Sequence, residues 1–526
     1  MKHKSNNQNV YYRFSQLVNF NGMKRLSSIF FIVLFISCNT NNAEIKSSSR
    51  IIITGKILNY SPGVNGFTIF VNRLGIGQLD TQAEIDSLGY FRSTFKSEIP
   101  TDIWISYKTN FLVLAHPGDS INLEFDGSVT TRPELLKTIK FSGDRSKSNI
   151  DASIFQKMYF SDKLYTDKES KTKAMKEYDS QEYLAYLDTL QLKSNLLFDA
   201  FLSNTSPNQE TKIWAKTYIE QDYYDALSSY PEQHQALNNL SNSKWSVPIS
   251  YKDNFLKRLP IQQNQLISSY ALSSFINQFR YDYLNPKIID DSIVNRFTNE
   301  KGSLAIPRKT FDSLRVYGTI EHSPDTLMRQ MVLAEILHED FQSLEVGMYE
   351  KFNSIFNKYL TLPALKNPLL EDYAELKNSL KNPKLSSNAI LFRAKGSSVE
   401  QIMDSIISLN RGKVIYIDLW ATWCGPCIAE FPNSKKLREK LSPNDVAFVY
   451  VCIDSKEELW KPALDRFDIE GQNYFLSTQQ SVDMRRTFEV EGIPYYVVLN
   501  KNGIVTEKGS HLRPDNVENT LLTLIK

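Results

Sequence analysis

The sequence of 526 residues has few cysteines, almost no net charge and no apolar run long enough to cross a membrane. Four cysteines are too few for a disulfide scaffold, so the position of each one is informative. The 61 basic and 59 acidic residues leave a net charge of +2, which provides no basic field for nucleic acid. The 41% hydrophobic and 23% charged fractions exclude a disordered or polytopic membrane chain. They favour a globular protein of about three to four domains.

The N-terminal region has the order of a secretory signal. The apolar run at residues 29–36 is shorter than the about 20 residues that a transmembrane helix needs. A charged segment at residues 23–25 precedes it and Cys38 follows it, so the region resembles a bacterial lipoprotein signal. Residues 1–38 are therefore predicted to be a leader and signal peptide, with lipidation at Cys38. A buried apolar segment with an incidental cysteine is the alternative. Residues 39–50, rich in Asn and Ser, are expected to form a flexible tether.

Residues 51–145 contain short β-rich runs that alternate with turn sequences. The turns include Asp86-Ser87-Leu88-Gly89 and His116-Pro117-Gly118-Asp119. This spacing predicts a β-rich domain, in the form of a small antiparallel sandwich without a catalytic constellation. The predicted strands are centred on residues 51–53, 67–71, 90–95, 103–105 and 121–125.

Residues 150–385 differ in character, because long stretches lack Gly and Pro and carry apolar residues at intervals of three and four. This periodicity predicts an all-α region. The histidines at positions 234, 322 and 338 are scattered without an i, i+4 pair, so they do not indicate a metal site; residues 321–322 and 338–340 are expected to be solvated helix surface. The clearest predicted helices cover residues 171–201, 211–227, 326–341 and 349–359. Breaks are expected near the prolines at positions 207, 231, 248, 260, 286, 307, 324, 363 and 383.

Two further cysteines lie in the segment Trp423-Cys424-Gly425-Pro426-Cys427. The apolar run Val414–Leu419 precedes them and a segment of helical composition follows them. A buried strand, a turn with Cys-x-x-Cys and a helix form the context in which this motif is redox-active. Cys424 would lie at the helix N-terminus, where unpaired amides and the helix dipole stabilise a thiolate. Cys427 would lie one turn further into the helix, shielded from solvent.

Three other interpretations of the pair were weighed. A zinc site needs two more ligands, and only Cys452 and His511 are available in this part of the chain. A peroxiredoxin would have Pro and Thr where Ile417 and Ala421 stand. A purely structural cysteine pair is the third alternative. Cys452 itself lies on a β-rich run, where an inert core thiol is expected.

Residues 423–427 are the thioredoxin active-site sequence, and the chain here resembles the thioredoxin superfamily. Asp418 stands where thioredoxins keep a buried acid, and Ile493-Pro494 matches their cis-proline. The resemblance implies an α/β thioredoxin fold for residues 390–526.

Further features resemble the TlpA-like, membrane-tethered periplasmic thiol–disulfide oxidoreductases. These are a β-α-β insertion between residues 454 and 480, and Glu430, which matches an acid beneath the active site of that family. The turn sequences of residues 51–145 are similar to those of the β-domain that precedes thioredoxin-like domains in many Bacteroidota lipoproteins.

The resemblance implies a role for each residue of the motif. Cys424 would be the nucleophile, and Cys427 would resolve the mixed disulfide. Asp418 and Glu430 are candidate acceptors for the Cys427 proton, since a buried thiol needs a nearby base. Asp418 could instead be a satisfied structural acid. Two further roles concern the substrate: Trp423 would flank the reactive sulfur, and Ile493 with Pro494 would bind the substrate chain as an added strand.

The sequence therefore predicts an envelope thiol–disulfide oxidoreductase, lipid-anchored to the membrane in the periplasm, that reduces disulfides of client proteins. No cofactor is expected beyond the redox-active disulfide Cys424–Cys427, and no metal. The expected partners are disulfide-containing clients and a membrane-embedded thiol electron donor, without nucleic acid. The alternative is a lipid-anchored binding or assembly module whose β and helical domains are the working part.

Overall fold

A computed structural model describes residues 49–61, 66–240, 245–300, 304–394 and 396–526. The predicted leader and Cys38 lie outside the described residues. The chain forms two compact units. The first is Met1–Glu335 with Lys358–Leu365, and the second is Ile336–Asn357 with Lys366–Lys526. The helices of the predicted region 150–385 are thus divided between the two units.

The N-terminal β-rich part of the first unit contains one eight-stranded sheet, in the order β6-β5-β2-β3-β4-β1-β7-β8. β1 pairs antiparallel with β4 and parallel with β7, so the sheet is mixed. The strands are β1 Arg50–Leu58, β2 Gly66–Asn72, β3 Gln78–Ile85, β4 Tyr90–Lys96, β5 Thr101–Ser106, β6 Asn110–Ala115, β7 Ser120–Asp126 and β8 Lys140–Gly143.

The predicted β-rich domain is confirmed, and all five predicted strands are present. The structure adds β3, β6 and β8, and it differs from the predicted antiparallel sandwich in having one continuous sheet with a parallel pair. β4 shows why some strands are visible in sequence, because its residues alternate strictly between exposed and buried. β6 instead is buried at five consecutive residues, a pattern that does not distinguish a strand from a helix.

Helices cover the sheet and complete the first unit. A 3₁₀ turn at Asp253–Arg258, another at Gln263–Ile267 and a π-helical segment at Phe279–Leu284 connect some of them. The helices up to residue 322 are α1 Arg132–Thr138, α2 Ser146–Ser161, α3 Lys163–Thr166, α4 Lys168–Glu177, α5 Ser180–Thr205, α6 Gln209–Leu237, α7 Ile249–Lys252, α8 Ser269–Gln278, α9 Asn285–Ile288, α10 Asp291–Phe297 and α11 Arg308–His322.

Two details of the predicted helices are wrong. The stretch 171–201 is two helices, because Asp179 forms a capping box with Glu182 and starts α5 there. The expected break near Pro231 does not occur, since this proline lies inside α6. Three further helices follow α11, namely α12 Thr326–Gln342, α13 Gly347–Tyr359 and α14 Pro363–Lys381.

The second unit contains a six-stranded sheet in the order β14-β13-β10-β11-β12-β9. β9, β10, β11 and β12 run parallel, and β13 is antiparallel to both β10 and β14. The predicted α/β fold of the C-terminal part is confirmed. Its strands are β9 Ala389–Arg393, β10 Val414–Trp420, β11 Val446–Cys452, β12 Gly471–Phe475, β13 Tyr495–Leu499 and β14 Val505–Gly509. Its helices are α15 Val399–Leu409, α16 Gly425–Lys440, α17 Glu457–Arg466, α18 Thr478–Phe488 and α19 Pro514–Ile525.

Candidate active site

A strand, a short loop and a helix position the cysteine pair. β10 lies between β11 and β13 in the interior of the sheet, and all its residues are buried. α16 begins directly after Cys424, which is its N-cap residue. Pro426 occupies the first turn of α16, where its missing N–H leaves no hydrogen bond unmade. The predicted context of strand, turn and helix is therefore present.

A disulfide bond joins Cys424 and Cys427. The backbone N–H of Cys427 donates to Cys424 Sγ over 3.2 Å, so this sulfur takes the place of a capping oxygen. The two residues are only 3% and 1% exposed. Once the bond is reduced, the same N–H and the positive end of the α16 dipole favour a thiolate at Cys424 over one at Cys427.

Trp423 is 49% exposed, yet its ring is held in place. Its indole Nε1 donates to the backbone oxygen of Asp454 over 2.7 Å. Asp454 has a φ of +50°, and its carboxylate accepts from Arg485 Nε and Nη2, each over 2.7 Å. The loop after β11 therefore fixes an exposed aromatic surface next to the disulfide. An indole fixed in this way can contact the apolar part of a substrate chain.

Asp418 is 1% exposed in the middle of β10. No described residue donates a hydrogen bond to either of its carboxylate oxygens. Burial raises the pKa of Asp418 well above its ordinary value, and the negative charge of Glu430 raises it further. The alternative of a satisfied structural acid does not fit a carboxyl group without hydrogen-bond donors. A buried carboxyl group whose pKa is raised in this way is a candidate for proton transfer.

Glu430 lies on α16 in a different electrostatic environment. It is 7% exposed, and Arg513 Nη1 donates to its Oε1. This hydrogen bond raises the pKa of Arg513, which keeps its charge. The two predicted acceptors thus differ in their partners: Arg513 bonds to Glu430, whereas no described residue donates to the carboxylate of Asp418.

The Ile493–Pro494 peptide bond is cis, as the resemblance implies. β13 begins with the next residue, Tyr495, which lies opposite Leu419 of β10 in the antiparallel register. Pro494 therefore lies at the end of the sheet from which the loop to Cys424 departs. Ile493 is partly buried against the core of the second unit. The structure thus brings the predicted redox and substrate-binding residues to one end of the sheet.

Cys452 and His511 do not complete a zinc site. Cys452 is fully buried on β11, opposite Trp420, and burial raises its pKa to about 12. His511 is exposed and shares a hydrogen bond with Glu507 Oε1 over 3.0 Å. Within the described ranges, no group of three or more His, Cys, Asp or Glu side chains could hold a metal ion. The same ranges contain no helix long and apolar enough to cross a membrane.

Sequence reasoning did not identify Arg513, Asp454 or Arg485 as parts of the site. Arg513 meets Glu430 from 83 positions away, and Arg485 meets Asp454 from 31 positions away. Contacts at such separations leave no local pattern.

Comparison with known proteins identifies the C-terminal part. Residues 405–524 match the family model described as Redoxin. A thioredoxin from Coprinus comatus is 43% identical over 54 residues, which are 10% of this chain and 51% of that protein. The thiol-disulfide oxidoreductase ResA from Oceanobacillus iheyensis is 24% identical over 110 residues, 20% of this chain and 56% of that protein.

Among solved structures, the thioredoxin domain of a thiol-disulfide oxidoreductase from Bacteroides vulgatus is similar to this chain, with a TM-score of 0.21 and 23% identity. The match covers 23% of this chain and 84% of that domain. The chain spans about half the length of the curated relatives named above.

The C-terminal part of the chain is therefore similar to thioredoxins and to the Redoxin family, in agreement with the resemblance that its sequence predicts. Its relatives include thiol-disulfide oxidoreductases, which agrees with the predicted TlpA-like resemblance.

Proposed function

We propose that this protein is a thiol–disulfide oxidoreductase that reduces disulfides in client proteins at the outer face of a membrane. The observation that carries the proposal is the Cys424–Cys427 disulfide at the N-terminus of α16, with cis-Pro494 at the same end of the sheet. The proton acceptor that we propose for the exchange is Asp418, which is buried on β10 without a hydrogen-bond donor.

The reaction is two successive thiol–disulfide exchanges. The Cys424 thiolate attacks one sulfur of a client disulfide, which forms a mixed disulfide and releases one client thiolate. Cys427 then loses its proton to the ionised form of the Asp418 carboxyl group and attacks Cys424 Sγ. The second client sulfur leaves as a thiolate, and the Cys424–Cys427 disulfide is formed again. Two electrons have moved to the client, and an external dithiol must return the protein to its reduced state.

The reductive direction rests on the Gly-Pro pair between the cysteines. This spacer resembles that of thioredoxin, whose potential is about −270 mV, compared with about −120 mV for the oxidant DsbA. Equilibration of the protein with dithiothreitol mixtures measures the potential directly. We expect a value near that of thioredoxin, and a value near that of DsbA would contradict the reductive direction. The electron donor we propose is a membrane-embedded protein with an exchangeable dithiol.

The proposed location is the periplasm, with a lipid anchor at Cys38. The apolar run at residues 29–36 and the position of Cys38 support it. In a bacterial host that processes lipoproteins, the full chain should enter the detergent phase of a Triton X-114 extract. The Cys38→Ala variant should move to the aqueous phase. Equal partitioning of the two proteins would remove the lipid anchor from the proposal.

Insulin reduction with dithiothreitol tests the proposed activity of the full chain. Cys424→Ser should reduce turnover to the uncatalysed rate, and Cys427→Ser should accumulate a mixed disulfide with insulin that is visible on a non-reducing gel. Cys452→Ala is the matched control, because this thiol is buried in the same domain outside the exchange. If Cys424→Ser kept the parent rate, the proposed function would be wrong.

A further inference from the structure

A cavity of about 410 Å³ lies within the first unit, away from the cysteine pair in sequence. Strands β2, β3, β5 and β6 form one side of it, and helices α1, α2, α3, α6 and α8 form the other. Its volume falls in the range of small-molecule sites, which is about 300–1,000 Å³. Seven of its thirteen lining residues are aromatic. The cavity therefore has the size and apolar walls of a binding site for a flat ligand.

The aromatic walls are ordered by ring contacts. Tyr270 stacks on Tyr218 with 6.1 Å between ring centroids and an angle of 26°, and it meets Trp104 edge to face at 5.2 Å. Phe160, also in the lining, contacts Tyr159 edge to face with 5.0 Å between ring centroids. Rings held by one another lose little freedom when a ligand binds, which favours affinity.

Arg132 places a positive charge among these rings. Its guanidinium carbon lies 4.0 Å from the Phe160 centroid and 5.1 Å from the Trp104 centroid. Its Nη2 donates to the side-chain oxygen of Asn110. Among the described residues no carboxylate forms a salt bridge with it, and its buried Nε has no hydrogen-bond partner. A guanidinium that is fixed between two rings and has no counter-ion can bind an anionic group of a ligand.

The charge of Arg132 reaches the nearby phenols. Burial raises the pKa of Tyr218 and of Tyr270, and the Arg132 charge acts in the opposite direction on both. The positive end of the cavity lies at the Phe160 and Trp104 rings, which the guanidinium contacts.

Two carboxyl groups, Asp222 and Asp225, also line the cavity. Asp222 accepts hydrogen bonds from the Tyr159 hydroxyl at 2.7 and 2.6 Å, and burial raises its pKa to about 6. Asp225 Oδ1 accepts from Gln221 and Gln278, at 2.8 and 2.6 Å. Neither aspartate forms an ion pair with Arg132. Both keep lone pairs for a hydrogen-bond donor on a ligand, because a carboxylate has about four acceptor sites.

We propose that this cavity binds a small aromatic carboxylate whose far end carries a hydrogen-bond donor. The carboxylate would bond to Arg132, and the ring would lie between the aromatic walls. A hydroxyl group at the far end would donate to Asp222 or Asp225. This site is independent of the redox function proposed above, and it gives the N-terminal unit a binding role of its own.

Three related probes separate the contributions of the ligand groups. 3-(4-Hydroxyphenyl)propionate has the carboxylate, the ring and the hydroxyl; 4-ethylphenol lacks the carboxylate, and 3-phenylpropionate lacks the hydroxyl. Titration calorimetry on the full chain should give one site for the first probe, with a Kd below about 1 mM. 4-Ethylphenol should bind at least tenfold more weakly, since it cannot form the charge-assisted hydrogen bonds between a carboxylate and the guanidinium. The affinity of 3-phenylpropionate should lie between those of the other two probes.

Arg132→Gln should weaken the first probe at least tenfold and leave 4-ethylphenol unchanged. Arg132→Lys keeps the positive charge but not the planar set of guanidinium N–H donors, so its affinity for the first probe should fall less than that of Arg132→Gln. The matched control is Arg92→Gln, an exposed arginine on β4 outside the cavity lining. Thermal unfolding of each variant verifies that it folds. The proposal is overturned if the parent binds no first probe at 5 mM, a concentration about fivefold above the expected Kd limit, or if Arg132→Gln binds it as tightly as the parent.

Discussion

At the scale of single residues, Asp418 and Glu430 show how environment separates two carboxyl groups near one disulfide. Asp418 is buried without any donor among the described residues, whereas Glu430 is bonded to Arg513. Both were predicted from sequence as candidate proton acceptors, because residue type and position alone could not distinguish them. The distinction depends on Arg513, which a long-range contact brings to the site.

Asp418→Asn should stabilise the protein at neutral pH. The raised pKa of Asp418 means that the folded state holds a proton that the unfolded state releases above about pH 4. The stabilisation that comes from the protonated Asp418 is therefore fully present below about pH 4, and it declines as the pH rises toward the folded-state pKa. Denaturant unfolding at pH 7 should show a gain of at least about 1 kcal/mol for the variant, since one pKa unit corresponds to about 1.4 kcal/mol.

The gain should vanish at pH 4, and that convergence distinguishes ionisation from a packing effect. Asp404→Asn, an exposed change on α15, is the control and should shift stability little at either pH. A gain of equal size at pH 4 and pH 7 would show that Asp418 does not titrate between these values. The same variant should also slow insulin reduction, because Cys427 loses its proton acceptor.

Cys452 should resist alkylation in the reduced, folded protein. Burial raises its pKa to about 12, so almost no thiolate is present near neutral pH, and the residue has no exposed surface. Cys424 at the start of α16 should react first with a brief pulse of iodoacetamide at pH 7. Mass spectrometry of the peptides locates the label, and labelling in urea confirms that Cys452 can react once exposed. Faster labelling of Cys452 than of Cys424 would contradict the assignment of the nucleophile.

At the scale of secondary-structure elements, one ion pair links α16 to the residue that precedes α19. The negative charge of Glu430 raises the pKa of Asp418, and the positive charge of Arg513 balances it in part. Arg513→Gln removes that balance and should raise the pKa of Asp418 further. The pH profile of mixed-disulfide release should then move to higher pH. Glu430→Gln removes the negative charge, so its profile should move to lower pH.

Stopped-flow turnover of a model disulfide between pH 5 and pH 9 measures these shifts. Lys440→Gln is the matched control, because Lys440 on α16 pairs with Glu518 of α19 over 2.9 Å on the exposed surface. This variant removes a contact between the same two helices without changing the charge near Asp418. Its pH profile of mixed-disulfide release should therefore overlay that of the parent protein. Shifts of Arg513→Gln and Glu430→Gln in the same direction would rule out the electrostatic coupling.

Sequence pattern predicted the elements unevenly, and the reasons are physical. Strands with strict alternation, such as β4, and the buried β10 next to a recognisable motif were predicted. β3 was not, because its burial pattern contains a single buried residue, Ala83. Pro231 lies inside α6, where tertiary packing of a long helix outweighs the local preference for a break. The site residues within the cysteine motif were predicted, and those joined to it by distant contacts were not.

At the scale of the whole molecule, the chain forms two units that each bury their own core. One core contains residues from the β-sheet and helices of the first unit, such as Phe125 and Trp214, and another lies around β10 and β11. The sequence predicted one helical region over residues 150–385, yet its last helices contribute to the second unit. Amphipathic periodicity indicates that a helix has a buried face, but it does not identify the core against which that face packs.

Two separate cores should unfold in two calorimetric transitions, and only one of them should respond to the redox state. Reduction of the Cys424–Cys427 bond removes a closed loop of four residues, which the chain-entropy model values at about 2 kcal/mol. For a unit of this size, that loss lowers Tm by roughly 4–8 °C. We expect dithiothreitol to lower the transition of the second unit by this amount and to leave that of the first unit in place. The Cys424→Ser/Cys427→Ser double variant is the control, because it cannot form the bond and should give the same trace with and without reductant.

Titration with 3-(4-hydroxyphenyl)propionate should raise the Tm of the other transition, that of the first unit, since a ligand stabilises the unit that binds it. A single transition that moves with both reductant and ligand would show that the two units unfold as one.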